Sequence, residues 1–182
     1  MAVDKDSRAK ILVVGPLKCG KTTISSYVAD TSESAGKEYR PTKGVRILEL
    51  ESADLKSQEL SEKIIELWDC SGDPKYEKCW PALRLGVRGV VLVVNPERST
   101  SEDLLFWYNE FVVKIGLLPE HVMILLHHTS ESTNDSAIAD FRLPSQMSGI
   151  HTIPSNIDHE GEALKNDFNN FMVKLFGDAS LM

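Results

Sequence analysis

Cysteine is scarce in this chain: three among 182 residues, Cys19, Cys70 and Cys79, with no C-x-x-C pair. That excludes a disulfide framework and a zinc site built on cysteines, both of which need more partners at tighter spacing. Free thiols in a reducing compartment are expected. Long apolar runs are also missing. No stretch approaches the ~20 residues of a membrane span, and Met1-Ala2-Val3-Asp4-Lys5-Asp6 lacks the apolar core of a secretory signal. Positive charge is in deficit, with 20 Lys+Arg against 27 Asp+Glu and a net charge of −7. Such a balance gives no sequence-independent grip on a phosphate backbone, so a nucleic-acid partner is not expected. Internal repeats and a dividing linker are absent as well. One domain over residues 9–177 is expected, between a lead-in at 1–8 and a short tail at 178–182.

What is present is an alternation of strand-like and helix-like segments. Ile11-Leu12-Val13-Val14, Val90-Val91-Leu92-Val93-Val94 and Val122-Met123-Ile124-Leu125-Leu126 are continuous apolar runs, the pattern of strands buried on both faces of a parallel sheet. Val45 to Leu50 and Ile64 to Trp68 flank an acidic stretch without helical period, which predicts an antiparallel hairpin with a long tip. Ser99 with Glu102 predicts a capping box ahead of Leu104, Trp107, Tyr108, Phe111, Val112 and Ile115, which share one helical face. Leu164, Phe168, Phe171, Met172 and Leu175 repeat the same period, with Gly177 as a stop. Thr129 to Ser148 reads as loop with one short helix. The expected architecture is α/β in three layers: a mostly parallel six-stranded sheet with one antiparallel hairpin strand and helices on both faces.

The chemistry-bearing motif follows the first strand. Gly15-Pro16-Leu17-Lys18-Cys19-Gly20-Lys21-Thr22 matches G-x-x-x-x-G-K-[ST], the phosphate-binding P-loop. A loop wrapped around a phosphate must turn successive N–H groups inward, and glycine permits the angles and the close approach. Lys21 reaches phosphate oxygens, Thr22 offers a hydroxyl to Mg²⁺, and the helix opening at Lys21, Thr22 and Thr23 places its positive end beneath them. Two later motifs narrow the reading. Thr42 in Tyr39-Arg40-Pro41-Thr42 can add a metal ligand, and Asp69 in Trp68-Asp69-Cys70-Ser71-Gly72 can hold Mg²⁺ through a water. Gly72 lets its N–H approach a terminal phosphate.

With these motifs the chain resembles the Ras-like small GTPases over essentially its whole length. Tyr39 to Glu49, Glu66 to Asp73, Cys79-Trp80-Pro81-Ala82-Leu83 and His127-His128 resemble, more narrowly, the Rab-like five family. The resemblance implies GTP or GDP with Mg²⁺ as cofactors. It also implies a nucleotide-dependent interaction module of intraflagellar transport complex B, with its coiled-coil subunits 74 and 81 as partners. The expected place is the cytoplasm, the cilium or flagellum and its base. An active GTPase switch, or another P-loop phosphotransferase, is the alternative.

The chain departs from the family pattern in three places. Asp73 stands where active members carry the glutamine that orients the attacking water; a carboxylate there adds negative charge beside the phosphate, so hydrolysis should be slow or absent. Leu17 occupies a P-loop position that is glycine in Ras and crowds the hydrolytic side. His127-His128-Thr129-Ser130 replaces the guanine-reading N-K-x-D, and the neutral Ser130 takes the place of a carboxylate, so ATP is admitted as a possible ligand. Either His127 or His128 contacts base or ribose, or both merely end the strand. Ser155 and Asn156 are the best match to the last family motif, Asn156 being placed to meet a base edge. Ala2 and the ending Ala179-Ser180-Leu181-Met182 offer neither a myristoylated glycine nor a prenylated cysteine, so no direct membrane anchor is expected. Localisation would then come from protein contacts. Tyr76, Cys79, Trp80, Pro81 and Leu83 make an attractive partner surface, with Trp80 itself expected to pack beneath the sheet edge.

Overall fold

The computed structural model describes residues 8–31, 40–50, 64–128 and 135–177. Six strands form one sheet: β1 (Arg8–Val14), β2 (Val45–Leu50), β3 (Ile64–Cys70), β4 (Val87–Val94), β5 (Val122–His127) and β6 (His151–Ser155), in the spatial order β2-β3-β1-β4-β5-β6. β1 pairs in parallel with β3 and β4, and β4, β5 and β6 continue in parallel. β2 alone runs antiparallel, Val45 opposite Cys70 and Leu50 opposite Ile65. The expected hairpin is therefore present, while its acidic tip, 51–63, lies outside the described residues.

Strand periodicity divides the apolar runs between two cores. Ile11, Val13, Val91, Val93, Met123 and Leu125 face α1 (Lys21–Val28) and the long C-terminal helix. The alternate residues Leu12, Val14, Leu92, Val94, Ile124 and Leu126 face the opposite way, toward α2 (Trp80–Leu83) and α3 (Ser101–Tyr108). This is the three-layer arrangement that double-faced apolar strands require. α4 (Asp135–Asp140) supplies the short helix expected in the 129–148 stretch, and a single 3₁₀ turn, Ser145–Met147, adds to it. In α5 (Ile157–Gly177), Leu164, Phe168, Phe171, Met172 and Leu175 are all buried, each worth roughly 1.5–3 kcal/mol of transfer free energy. β6 carries Pro154, which an edge strand accommodates because one row of its N–H groups has no sheet partner.

Two local expectations shift. The capping box belongs to Thr100 and Asp103, not to Ser99 and Glu102: Asp103 donates its N–H to Thr100 Oγ1 (3.2 Å), and Asp103 Oδ2 accepts from the Thr100 N–H (2.7 Å). Ser99 is unavailable because it is buried and its own N–H closes the preceding turn onto the Asn95 carbonyl at 2.8 Å. Past Tyr108, α3 widens into a π-helical turn, Asn109–Val113, with the Lys114 N–H reaching back to the Asn109 carbonyl at 3.1 Å. The extra residue turns both Phe111 and Val112 inward, and both are buried. Trp80 packs as expected, 2% exposed, with ring centroids of Trp107 and Phe111 at 5.1 and 5.2 Å. Arg84, just after α2, donates through Nε to the Glu110 carbonyl at 2.7 Å and pairs with the Glu110 carboxylate. The segment from Trp80 to Arg84 is thus anchored on α3.

Candidate nucleotide site

The C-terminal ends of β1, β3, β4, β5 and β6 open on one edge of the sheet, the edge where α/β proteins place their ligands. The P-loop leaves β1 there. Gly20 sits at φ +95° directly before α1, and no side chain caps the first turn of that helix, which also carries no acidic residue. Its first amides and the positive helix end are accordingly available to an anion. Lys21 is only 6% exposed, and its ammonium donates to the carbonyls of Gly15 (2.9 Å) and Pro16 (2.5 Å) while lying 3.6 Å from Cys19 Sγ. Folded over the loop in this way, the cation is held in place by neutral groups. Leu17 (43% exposed), Lys18 and Thr23 face outward from the same turn, and Cys19 is buried beneath it.

Two residues remote in sequence, Thr42 and Asp69, converge beside Thr22. Its hydroxyl donates to Asp69 Oδ2 at 2.7 Å; Thr42 Oγ1 lies 2.9 Å from Thr22 Oγ1 and donates to the same carboxylate oxygen at 3.3 Å. Asp69 is fully buried, and its other oxygen, Oδ1, has no hydrogen-bond partner among the described residues. Burial pushes the Asp69 carboxyl up, against the opposing pull of the Thr22 hydroxyl and the Lys21 charge. An orphaned buried carboxylate oxygen is costly. Together with the two hydroxyls gathered on Oδ2, it makes an all-oxygen donor set that fits a small hard cation such as Mg²⁺, whose remaining positions are normally filled by phosphate and water.

Gly72 closes the other side. A Cβ there would come within 2.6 Å of the Gly15 carbonyl oxygen and 2.7 Å of the Leu17 nitrogen, so only glycine lets this backbone lie against the P-loop. The Ser71 N–H donates to the Gly44 carbonyl at 2.8 Å, joining the loop that carries Thr42 to the one that carries Gly72. Asp73 does not point freely at the loop. Its Oδ1 accepts the Lys75 N–H as the cap of the 3₁₀ turn Pro74–Cys79, and its Oδ2 pairs with Lys75 Nζ at 2.7 Å. That ammonium holds the Asp73 carboxyl below the usual carboxylate range. Lys75, Ser71 and Gly44 were not among the expected site residues. Only the D-x-K spacing of Asp73 and Lys75 carried a signal.

At the far end of the site, His127 ends β5 buried, its Nδ1 3.1 Å from the Ser155 carbonyl and 3.0 Å from Ser155 Oγ. His128 donates its N–H to the same carbonyl (3.1 Å), and its ring Nδ1 lies 3.4 Å from Asn156 Nδ2. Asn156 is itself 3% exposed and accepts the Asp158 N–H at 3.0 Å, so its side chain orders the turn into α5. Thr129 and Ser130 lie outside the described residues. Burial drops the His127 pKa to about 4, well below the ordinary 6.5. A depressed folded value means that the unfolded chain takes up this proton first as the pH falls. The stability His127 contributes is therefore whole above pH 6.5 and is lost on the way down to about pH 4. Thermal melts should show that decline, amounting to about 3 kcal/mol at most, and His127→Asn should flatten it. An unchanged slope in the variant would contradict the assignment.

A mixed sheet of this order, a P-loop entering α1, and a threonine, an aspartate and a glycine converging from two other loops define a Ras-like domain. The family model described as Roc, the Ras of Complex domain of DAPkinase, matches residues 10–130. The chain is 39% identical to the intraflagellar transport protein 22 homolog of Danio rerio, over 92% of this chain and 90% of that one, and 32% identical to intraflagellar transport protein 22 of Trypanosoma brucei brucei, over 90% and 84%. Among solved structures, the GDP-bound crystal structure of T. brucei IFT22 superposes with a TM-score of 0.72 at 27% identity, covering 94% of this chain and 98% of that one. The GTP-bound T. brucei IFT22/74/81 crystal structure gives 0.71 at 30% identity, covering 91% and 95%. The chain belongs to the intraflagellar transport protein 22 family.

Proposed function

We propose that this chain binds GTP or GDP together with Mg²⁺ and, so loaded, docks on coiled-coil subunits 74 and 81 of intraflagellar transport complex B. Its place would be the cytoplasm, the cilium or flagellum and its base. The observation that carries the reading is the convergence of Thr22, Thr42 and the unpartnered Asp69 oxygen beside a P-loop whose helix amides are uncapped. The relatives solved with GDP, and with GTP and proteins 74 and 81, support it. In this reading Gly15, Leu17, Lys18, Cys19, Gly20, Lys21, Thr22 and Thr23 surround the phosphates. Gly72 offers its N–H to the last phosphate, and Thr22, Thr42 and Asp69 hold the cation. When bound, Mg²⁺ supplies positive charge against the β- and γ-phosphates. His127, His128, Ser155 and Asn156 form the base end, and a neutral Ser130 in place of a carboxylate relaxes discrimination against ATP. Hydrolysis is slow or absent, because Asp73 is committed to Lys75 and cannot orient a water as an amide would.

Capture on immobilised coiled-coil segments of proteins 74 and 81 tests this. The chain should be retained equally with GTP and with a non-hydrolysable analogue over an hour, and Thr22→Asn should cut retention at least about tenfold. Capture indifferent to nucleotide would overturn the docking mechanism. A GTP complex that decays within minutes while the analogue complex persists would overturn slow hydrolysis.

A further inference from the structure

We infer that His127 is a positioning residue: its ring is a wedge between the β6–α5 turn and Gly20 that holds the start of α1 in its phosphate-binding shape. This rests on the nucleotide reading of the same site. A Cβ added to Gly20 would lie 2.2 Å from His127 Cδ2 and 2.8 Å from Nε2, so the ring occupies the space that any other residue at position 20 would need. Gly20 in turn holds a left-handed conformation, and its carbonyl accepts the Ile24 N–H at 2.9 Å, the first closed turn of α1. On its other side the ring is pinned to Ser155. A backbone carbonyl can only accept, so the 3.1 Å contact is a hydrogen bond only in the tautomer with the proton on Nδ1, which leaves Nε2 unprotonated on the Gly20 side; the Ser155 hydroxyl, 3.0 Å from the same nitrogen, then accepts or turns away. The His128 N–H shares that carbonyl, so two consecutive residues tie β5 to β6 at the level of the P-loop.

A wedge in this place needs two properties together. It must be flat enough to lie against a backbone without a side chain, and it must carry a donor that reaches the Ser155 carbonyl while staying uncharged in a buried position. An aliphatic residue lacks the donor, and phenylalanine has only the flatness. Without the pin, the ring space opens beside Gly20, and the peptide joining Gly20 to Lys21 is free to turn. Lys21 is the residue whose ammonium must close over the loop.

The test compares His127→Phe, which keeps a flat ring and removes the donor, with His127→Asn, which keeps a donor toward Ser155. Two readouts are used on the full chain: affinity for fluorescent GDP in Mg²⁺, and amide hydrogen exchange at residues 20–22 in nucleotide-free protein. His127→Phe should weaken GDP binding about tenfold, equivalent to ~1.4 kcal/mol, and speed exchange at 20–22 by a similar factor, while His127→Asn, which restores a donor, should recover most of both losses. Long-range proton–nitrogen spectra of the wild type should show Nδ1 protonated at pH 7. Wild-type exchange rates and affinity in His127→Phe would overturn the inference, as would equal losses in both variants. Should His127→Phe not fold, His127→Leu takes its place with the same expected outcomes. A wild-type chain that binds no nucleotide would overturn the reading of the site, and the exchange comparison alone would then decide the wedge.

Discussion

Trp80→Ala is expected to lower the melting temperature by roughly 10 °C or more, through a loss of about 3–5 kcal/mol. Trp80 is 2% exposed and enclosed by Phe106, Trp107 and Phe111. Truncation leaves a cavity that these rings, fixed on α3 and the π-helical turn after it, cannot collapse to fill. The indole N–H is buried without a hydrogen-bond partner among the described residues, which sharpens the expectation. Trp80→Phe removes that unsatisfied donor along with some volume, and should cost less than about 1.5 kcal/mol. Calorimetry or thermal fluorescence on both variants checks the pair. If Trp80→Ala instead melted like wild type and lost only its hold on the coiled-coil subunits, Trp80 would be a partner anchor. The packing of α2 on α3 would then have been misread. The same geometry makes Trp80→Ala a poor probe of partner binding. Exposed neighbours such as Cys79 and Pro81 are the better choice.

Lys21→Ala is expected to reduce nucleotide affinity at least about 100-fold. Charge-assisted hydrogen bonds contribute about 1.5–3 kcal/mol each, and the ammonium would serve oxygens of two phosphates. The nucleotide-free chain should lose only about 1 kcal/mol, because removing the buried Lys21 charge offsets part of the cost of leaving the buried Gly15 carbonyl without its donor, and the Pro16 carbonyl is only half-buried. This split separates the binding reading from a purely structural one. Were Lys21 simply a strut across the loop, the melting temperature would fall and affinity would follow it in proportion.

Much of this was legible in the sequence, for identifiable reasons. A strand buried on both faces writes itself as an unbroken β-branched run, as in Val90 to Val94, and the alternation of those residues between two cores follows from the pleat. The P-loop was legible because its function rests on backbone geometry, which fixes glycine positions and one lysine. The capping box was displaced by one residue because Ser99 and Thr100 carry the same signal. Only the turn from Asn95, which consumes the Ser99 N–H, decides between them. The π-helical turn was invisible, since 3.6-residue periodicity accounts for Leu104, Trp107 and Phe111 equally well. At the base end, two histidines in sequence gave no indication which was buried. That depended on Gly20, more than 100 residues away, leaving room for one ring. The engagement of Asp73 with Lys75 was likewise a tertiary matter, settled by a 3₁₀ turn opening at Pro74.

The most direct measurement of the central claim is an equilibrium titration of the purified chain with fluorescent GTP and GDP, with Mg²⁺ and with a chelator, beside Lys21→Ala. One nucleotide is expected to bind per chain. GTP affinity should be at least about tenfold higher with Mg²⁺, because Thr22, Thr42 and Asp69 would add their interactions only through the cation. Saturation identical with and without Mg²⁺, or a Lys21→Ala curve superposing on wild type, would contradict the claim.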